Sequence, residues 1–246
     1  MIKGPIYEPK GKANEYAELA LNIYNGCTHG CVYCYAPSVL RKDAEEFRTA
    51  APRDEIMKKL EVQLKNSGGF FKGRMVHLCF TCDPYPRGVD TKLTDDIIDL
   101  LHSNEVNVQI LTKNGTEIMD RILPRLGKND SVGVTVSCSE RMRLAIEPNA
   151  APVGSRLNLL WFARCKNIPT WVSCEPVYEP QFIFDLIKNG DYIDLFKIGK
   201  LNYQKSEIDW SEFGHECERL CQQYGRKYLI KNDLRHEMEA GLDPGR

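Results

Sequence analysis

Short runs of β-branched and other apolar residues alternate along the chain with longer segments in which apolar residues recur at helical period. This alternation is typical of βα units arranged around a parallel sheet. Strands are predicted near residues 20–24, 75–82, 106–112, 131–137, 170–174, 195–198 and 227–230. Helices are predicted near residues 53–66, 93–103, 117–126, 155–166, 181–188 and 211–224. The pattern therefore predicts an α/β fold, a partial (β/α) barrel of about six to seven parallel strands.

The predicted helix 211–224 has the clearest start signal. Asp209 followed by Glu212 is typical of a capping box. One apolar stripe follows, formed by Phe213, Cys217, Leu220, Cys221 and Tyr224. We therefore interpret Cys217 and Cys221 as core residues, not as ligands of a second cluster.

The composition narrows the class of protein. A chain of 246 residues suits a single domain, here 1–246, with a full core. Its ten cysteines are not spaced as a disulfide scaffold, and its formal net charge of −1 does not indicate a nucleic-acid partner, although one is possible. The amino terminus lacks the apolar run of a secretory signal, and no stretch reaches membrane-spanning length. We expect a reduced, cytoplasmic protein without a membrane partner.

Three closely spaced cysteines, Cys27, Cys31 and Cys34, are the strongest chemical signal. Separations of four and three residues let thiolates converge on one ion or cluster, and glycines at 26 and 30 let the backbone bend around it. A structural zinc site needs four protein ligands, and no second Cys or His pair supplies the fourth. A 4Fe-4S cluster on three thiolates leaves one iron free. Ordinary core cysteines are the remaining alternative.

The spacing CxxxCxxC, with Tyr33 directly before the last cysteine, resembles the signature of the radical S-adenosylmethionine (radical SAM) enzymes. The resemblance implies a partial barrel of the radical SAM type and a free iron that chelates the methionine end of SAM. It also implies reductive cleavage of SAM to a 5'-deoxyadenosyl radical, with Tyr33 against the adenine. An electron donor such as flavodoxin or ferredoxin is the partner that this chemistry requires.

Polar residues follow the predicted strands, at the end where chemistry collects in such barrels. They are Asp83, Lys113, Ser137, Glu175, Lys200, Asn202 and Lys231. Strand ends also open into solvated loops, so any single residue of this set has an ordinary explanation. The whole set is less easily explained in that way.

A narrower resemblance covers roughly residues 24–177. The chain looks like the spore photoproduct lyase-like branch of radical SAM proteins in the segments Thr81-Cys82-Asp83-Pro84-Tyr85, Leu111-Thr112-Lys113, Glu147-Pro148 and Ser155-Arg156-Leu157. By position, the resemblance implies that Asp83, Lys113 and Ser137 help to hold SAM, with the Lys113 ammonium as a partner for its carboxylate.

Cys82 departs from this branch, in which many members have a small hydroxyl or similar residue before the aspartate. Spore photoproduct lyase resembles this region in having a hydrogen-donating cysteine near the end of its second strand, at a different offset. Cys82 is accordingly either a core residue or a hydrogen donor. Cys79 is interpreted as a buried structural thiol.

The sequence therefore predicts a radical SAM enzyme that abstracts hydrogen from an anionic substrate, a phosphorylated or carboxylated small molecule. Lys200 and Lys231 are the predicted substrate contacts and Glu175 orients a hydroxyl or amine, while alternation places Lys197 on the face opposite Lys200. One alternative is a nucleobase or nucleotide lyase or modifying enzyme. The other is a sensor that binds an iron-sulfur cluster or zinc without turnover.

Overall fold

A computed structural model describes residues 2–241 of the chain. The predicted domain 1–246 also includes Met1 and residues 242–246, which lie outside the described residues. The strands are β1 (Ile6–Tyr7), β2 (Leu19–Leu21), β3 (Tyr24–Asn25), β4 (Ala51–Pro52), β5 (Met75–Leu78), β6 (Asn107–Thr112), β7 (Ser131–Thr135), β8 (Thr170–Cys174), β9 (Leu195–Ile198) and β10 (Tyr228–Ile230). The helices are α1 (Ala36–Leu40), α2 (Ile56–Asn66), α3 (Lys92–Ser103), α4 (Met119–Ile122), α5 (Glu140–Ile146), α6 (Val153–Cys165), α7 (Pro180–Asn189), α8 (Trp210–Gln223) and α9 (Asn232–Ala240).

One main sheet carries the fold. Its strand order is β1-β2-β5-β6-β7-β8-β9-β10, and every pair from β2 to β10 is parallel. Only β1 runs antiparallel, with Ile6 opposite Leu21. Since β1 and β10 form opposite edges, the sheet is open, as expected of a partial barrel. The predicted α/β architecture, a partial barrel of about six to seven parallel strands, is confirmed.

The two faces of this sheet differ in polarity. Alternate strand positions are fully buried apolar residues of the core: Val76, Val108, Val132, Val172 and Phe196. The positions between them face the other side and carry polar groups, as shown by the hydrogen bond of 3.0 Å between His77 Nδ1 and Gln109 Oε1. On that inner face Trp171 lies flat against Gly133, where a Cβ would come within 2.2 Å of its ring. The inner face therefore carries polar side chains beside Trp171, whereas the other face is apolar.

Several element boundaries differ from the prediction for local reasons. The strand predicted as 75–82 ends at Leu78, because Cys79 adopts φ +70° and turns the chain out of the sheet. The helix predicted as 117–126 shortens to a 3-10 turn and α4, which ends at Ile122 just ahead of Pro124. The strand predicted as 20–24 ends at Leu21, and the chain then forms the separate pair β3 and β4. Helices α1, α5 and α9 were not predicted.

Helix α8 begins as predicted. The Asp209 carboxylate accepts a hydrogen bond of 2.9 Å from the Glu212 backbone amide. Cys217 and Cys221 are fully buried in the hydrophobic core, which confirms their interpretation as core residues.

None of the helices formed by residues 2–241 is both long enough and apolar enough to cross a membrane.

Candidate functional site

The three cysteines lie on one loop, residues 26–35, between β3 and α1. Gly26 begins this cysteine loop at φ +88°, and a Cβ there would lie 2.0 Å from the Thr49 carbonyl oxygen. The Cys27 amide donates a hydrogen bond of 2.8 Å to the Phe47 carbonyl. The start of the loop is thus held so tightly that only glycine fits at position 26.

All three thiols are free: Cys27 and Cys31 are half-buried and Cys34 is exposed. Each lies close enough to Lys113 for its ammonium to act on the thiol pKa. Burial raises the pKa of Cys31 to about 11, and Lys113 opposes that rise. Within residues 2–241, no group of three or more Cys, His, Asp or Glu side chains has converged on one metal-binding point. The donor set nevertheless fits a cluster, because three thiols without disulfide partners share one ten-residue loop.

Asp83 connects this loop to the sheet. Its Oδ2 lies 2.9 Å from His29 Nε2 and accepts a 2.7 Å bond from the Lys113 amide, while Oδ1 accepts from Thr112 Oγ1 at 2.7 Å and the Tyr85 amide at 2.8 Å. Burial opposes ionisation, but His29 and the other donors hold the pKa of Asp83 down at about 2. The buried carboxylate therefore fastens His29, and with it the cysteine loop, to the end of β6.

We expect Asp83→Asn to lower the free energy of unfolding by about 1.5–3 kcal/mol at pH 7, because a buried charged acceptor is lost. The folded pKa lies below the ordinary 3.8, so the carboxylate stabilises the protein above about pH 4 and ceases to do so as the pH falls towards 2. Urea denaturation from pH 7 to 3 measures this difference, which should shrink as the pH falls.

The matched control is Asp191→Asn, at an exposed position, which should change stability by less than about 0.5 kcal/mol. A pH-independent loss in Asp83→Asn would contradict the role of the carboxylate charge.

The Tyr33 and Ser137 hydroxyls both contact the buried carboxylate of Glu147, which was not among the predicted site residues. Ser137 Oγ lies 3.2 Å from the Tyr33 hydroxyl and 3.1 Å from Glu147 Oε1, to which Tyr33 also donates. The Glu147 carboxylate forms a salt bridge of 2.6 Å with Arg156, and both side chains are completely buried. Lys113 Nζ lies 5.5 Å from the centre of the Tyr33 ring. The structure thus brings Lys113 and Ser137 together with Tyr33 of the cysteine loop.

The family resemblance already included both residues, in the segments Glu147-Pro148 and Ser155-Arg156-Leu157, but it gave neither of them a role. Burial opposes ionisation of Glu147, but Arg156 and then Lys113 hold its pKa below the ordinary value. Arg156 also donates to the carbonyls of Ala151 and Thr135, each at 2.9 Å. The pair is therefore a buried charge network that supports Tyr33 and Ser137.

Glu175 belongs to a second cluster of polar side chains, near the end of β8. Its other members are Tyr16, Ser173, Asn202 and Lys231. Glu175 pairs with Lys231, and it accepts hydrogen bonds from the Tyr16 hydroxyl at 3.1 Å and from Asn202 Nδ2 at 3.0 Å. Tyr16 also lies 2.9 Å from Ser173 Oγ. The sequence did not point to Tyr16, because it precedes the first barrel strand and reaches the site only through the tertiary fold.

Lys197 lies on the inner face beside this second cluster, with only 4% of its surface exposed. Its Nζ donates a 3.1 Å hydrogen bond to the Tyr16 carbonyl and lies 4.5 Å from the centre of the Trp171 ring. Burial, and then the charge of Lys231, lower the pKa of Lys197 to about 8.

The two lysines predicted to contact substrate each face a carboxylate. Lys231 pairs with Glu175, whereas Lys200 pairs with Glu237 of α9. The strand ends thus carry less uncompensated positive charge than a count of their residues indicates.

Cys82 lies apart from both clusters, in the turn after β5. The Arg53 guanidinium donates a hydrogen bond of 3.2 Å to Thr81 Oγ1, next to Cys82 in this turn. Cys82 is half-buried, whereas Cys79 is buried.

Comparisons with solved structures identify proteins that share the fold of this chain. A mutant of spore photoproduct lyase with bound AdoMet and dinucleoside spore photoproduct superposes with a TM-score of 0.69 and 16% identity, over 92% of this chain and 78% of that one. SuiB of Streptococcus suis bound to its precursor peptide SuiA gives a TM-score of 0.65 and 13% identity, over 92% of this chain and 52% of SuiB. Both are radical SAM enzymes, so the chain shares the fold of that class.

Sequence comparisons define the family. No curated protein matches the chain by sequence. A family model described as "Protein of unknown function (DUF5131)" matches residues 12–228, which include the cysteine loop, both polar clusters except Lys231, and the Cys79 to Cys82 turn. The chain therefore belongs to the DUF5131 family, on a fold that it shares with radical SAM enzymes.

Proposed function

We propose that this protein is a radical SAM enzyme. The observation that carries the proposal is the position of three free thiols, on one loop at the carboxyl ends of the strands, in a fold shared with radical SAM enzymes. Cys27, Cys31 and Cys34 would hold a 4Fe-4S cluster with one iron left free of protein ligands, and the cluster would supply the electron for reductive cleavage of SAM.

The polar residues on and around the cysteine loop have separate roles in this proposal. Lys113 binds the carboxylate of SAM, and Tyr33 lies against the adenine. Ser137 and Glu147 orient the Tyr33 hydroxyl through the hydrogen bonds described above. Asp83 contributes indirectly, because its two oxygens already accept internal hydrogen bonds and its position fixes both His29 and the Lys113 backbone.

Lys113→Met tests the first of these tasks. Within residues 2–241, Lys113 Nζ forms no salt bridge, so a SAM carboxylate would be the first anion that pairs with it directly. We expect SAM affinity to fall about 10- to 100-fold, since a charge-assisted hydrogen bond contributes about 1.5–3 kcal/mol. Calorimetry on reconstituted protein measures the change, with unchanged iron content showing that the cluster is intact.

The exposed Lys92→Met is the control for general effects of losing a lysine, and it should bind SAM as the wild type does. Equal affinities of Lys113→Met and Lys92→Met would exclude the proposed contact.

We further propose that the substrate is anionic. Two lysines, Lys197 and Lys231, approach the same inner region, and Glu175 compensates one of them. A buried ammonium whose hydrogen-bond acceptor is a neutral carbonyl is costly unless it meets a carboxylate or phosphate. Lys231 would add a contact to the same anion, and Glu175 would orient a hydroxyl or amine of the substrate.

Lys197→Met should therefore raise the substrate KM about 10- to 100-fold, through loss of one charge-assisted hydrogen bond. Cleavage of SAM without substrate should keep its wild-type rate, because Lys197 lies in the second cluster and not beside the cysteine loop. Steady-state kinetics on phosphorylated and carboxylated candidates measures both quantities. Lys227→Met, at an exposed position next to β10, serves as the control. An unchanged KM in Lys197→Met would remove this residue from substrate recognition.

A nucleobase or nucleotide substrate is the narrower version of this proposal, supported by the dinucleoside seen in spore photoproduct lyase. Cys82 would then return a hydrogen atom to the product radical. An iron-sulfur or zinc sensor without turnover is the alternative from a different class. Anaerobic reconstitution with SAM and a reductant such as reduced flavodoxin separates them, because only an enzyme releases 5'-deoxyadenosine. Mass spectrometry of candidate nucleotide pools then identifies the substrate.

A further inference from the structure

The connection between β1 and β2, residues 8–18, is longer than the pairing of these two strands requires. A tight hairpin joins antiparallel strands with only about two residues. The middle of this connection, Gly11–Glu15, forms a short 3-10 helix, and Tyr16 follows it directly. We call residues 11–16 the strap. Its length leaves it free to reach away from the β1 edge of the sheet.

Polar contacts tie the strap to the opposite edge of the sheet. Lys12 pairs with Asp233 of α9, the helix after β10, and donates a hydrogen bond of 3.2 Å to Asn202 Oδ1, in the loop after β9. The Glu15 carboxylate accepts a hydrogen bond of 2.9 Å from the Asn232 backbone amide, at the start of α9. Since β1 and β10 are the two edges of the open sheet, the strap bridges the gap between them.

Tyr16 carries the strap into the second cluster. The Lys197 and Lys231 ammonium groups lie 4.8 Å and 4.5 Å from the centre of its ring, and its hydroxyl contacts Ser173 and Glu175. The Tyr16 carbonyl also accepts the hydrogen bond of Lys197. Each of the two lysines has only 4% of its surface exposed. A substrate anion therefore cannot reach either ammonium group while Tyr16 stays in this position.

The strap lacks apolar anchors of its own. None of residues 11–15 is buried, and Tyr16 is half-buried. Contacts between exposed charged groups contribute little to stability, and segments with few buried apolar contacts open without unfolding of the whole domain. Gly11, at φ +61° and with open space around its Cα, is suited to act as a hinge at the start of the strap. The strap can thus move while the sheet stays intact.

We propose that the strap is a gate over the substrate site, closed in this structure. Opening breaks the contacts of Lys12 and Glu15 with α9, turns the strap about Gly11, and lifts Tyr16 away from Lys197 and Lys231. The open form admits an anionic substrate, and the closed form keeps water away from both ammonium groups. What enters through the gate rests on the proposed function, whereas the opening itself requires neither SAM nor a cluster.

A variant with weakened ties tests the gate in the full chain. Lys12→Met combined with Glu15→Ala removes the contacts with α9 and leaves Tyr16 and the second cluster unchanged. Amide hydrogen exchange in residues 11–18, measured by mass spectrometry, should become about 10-fold faster, because two charged contacts of the closed form are lost. Limited acetylation should label Lys197 about 10-fold faster too, since its reactivity follows the population of the open form.

The matched control is Lys92→Met combined with Asp96→Ala, which removes an exposed salt bridge of α3 and should keep both wild-type rates. Wild-type rates in the strap variant would overturn the gate. The same conclusion would follow if exchange in β8 and β9 rose as much as in the strap, because the whole domain would then be opening. Circular dichroism verifies that the variants are folded. Neither measurement uses SAM, a cluster or substrate, so failure of the gate and failure of the proposed function are separate results.

Discussion

We expect Cys31→Ala to abolish reductive cleavage of SAM and to reduce the iron content from about four per chain to a small fraction of that value. Cys31 is the middle ligand of three, and two remaining thiols cannot hold a cluster that already lacks a fourth protein ligand. The substitution is mild for the fold, because the cysteine loop is anchored through backbone hydrogen bonds and His29, not through this side chain. The expected effect is therefore a loss of chemistry without a loss of structure.

The measurement is iron and sulfide content, absorbance and 5'-deoxyadenosine release after anaerobic reconstitution with SAM and reductant. Cys165→Ala is the matched control, since Cys165 is a free, exposed cysteine at the end of α6 and should leave all three readouts unchanged. Retained SAM cleavage by Cys31→Ala would contradict the radical SAM proposal.

The fold could be predicted because the hydrophobic patterns along the chain match the strands of the sheet and the helices between them. Runs such as Val132 to Val136 and Thr170 to Cys174 are short, β-branched and buried, and helical segments separate them. Parallel strands then bring their carboxyl ends to one edge, which is why residues directly after strands could be named as candidates. The position of Lys113 after β6 and of Glu175 after β8 follows from this rule alone.

The partners of these residues could not be predicted, because they depend on contacts distant in sequence. Tyr16 reaches Glu175 across 159 positions, and no local pattern marks it. Lys200 finds Glu237 on α9, a helix that the pattern did not show, so its charge was counted as free. A predicted strand boundary was wrong where a single backbone angle ends the strand: φ +70° at Cys79 ends β5 at Leu78.

The largest stability effect is expected from Arg156→Met. The substitution leaves the Glu147 carboxylate completely buried without its cation, and it also removes the donors to the carbonyls of Ala151 and Thr135. Breaking one partner of a buried salt bridge costs about 3–5 kcal/mol, a large share of the about 5–15 kcal/mol that stabilises a typical domain. Urea denaturation at pH 7 measures the loss.

An exposed salt bridge shows how small the loss of stability should be at the surface. Lys92 and Asp96 form a salt bridge of 2.6 Å on the surface of α3, and Lys92→Met should cost only about 0.3–0.5 kcal/mol. The double variant Glu147→Gln with Arg156→Met should be more stable than Arg156→Met alone, because the unpaired buried charge is gone. Equal losses in Lys92→Met and Arg156→Met would show that the buried charge is not the cause.

The pH dependence separates charge from packing in Arg156→Met. In the wild type, Arg156 holds the pKa of Glu147 below the ordinary 4.5, so the ionised carboxylate stabilises the fold above that value and ceases to do so as the pH falls through the lowered pKa. In the variant, burial raises the same pKa, and Glu147 takes up a proton before the wild type does. The stability gap between the two proteins should therefore narrow as the pH falls from the raised pKa of the variant, above 4.5, to the lowered pKa of the wild type. A gap that stays constant down to pH 3 would assign the loss to packing and to the two carbonyls, not to the charge of Glu147.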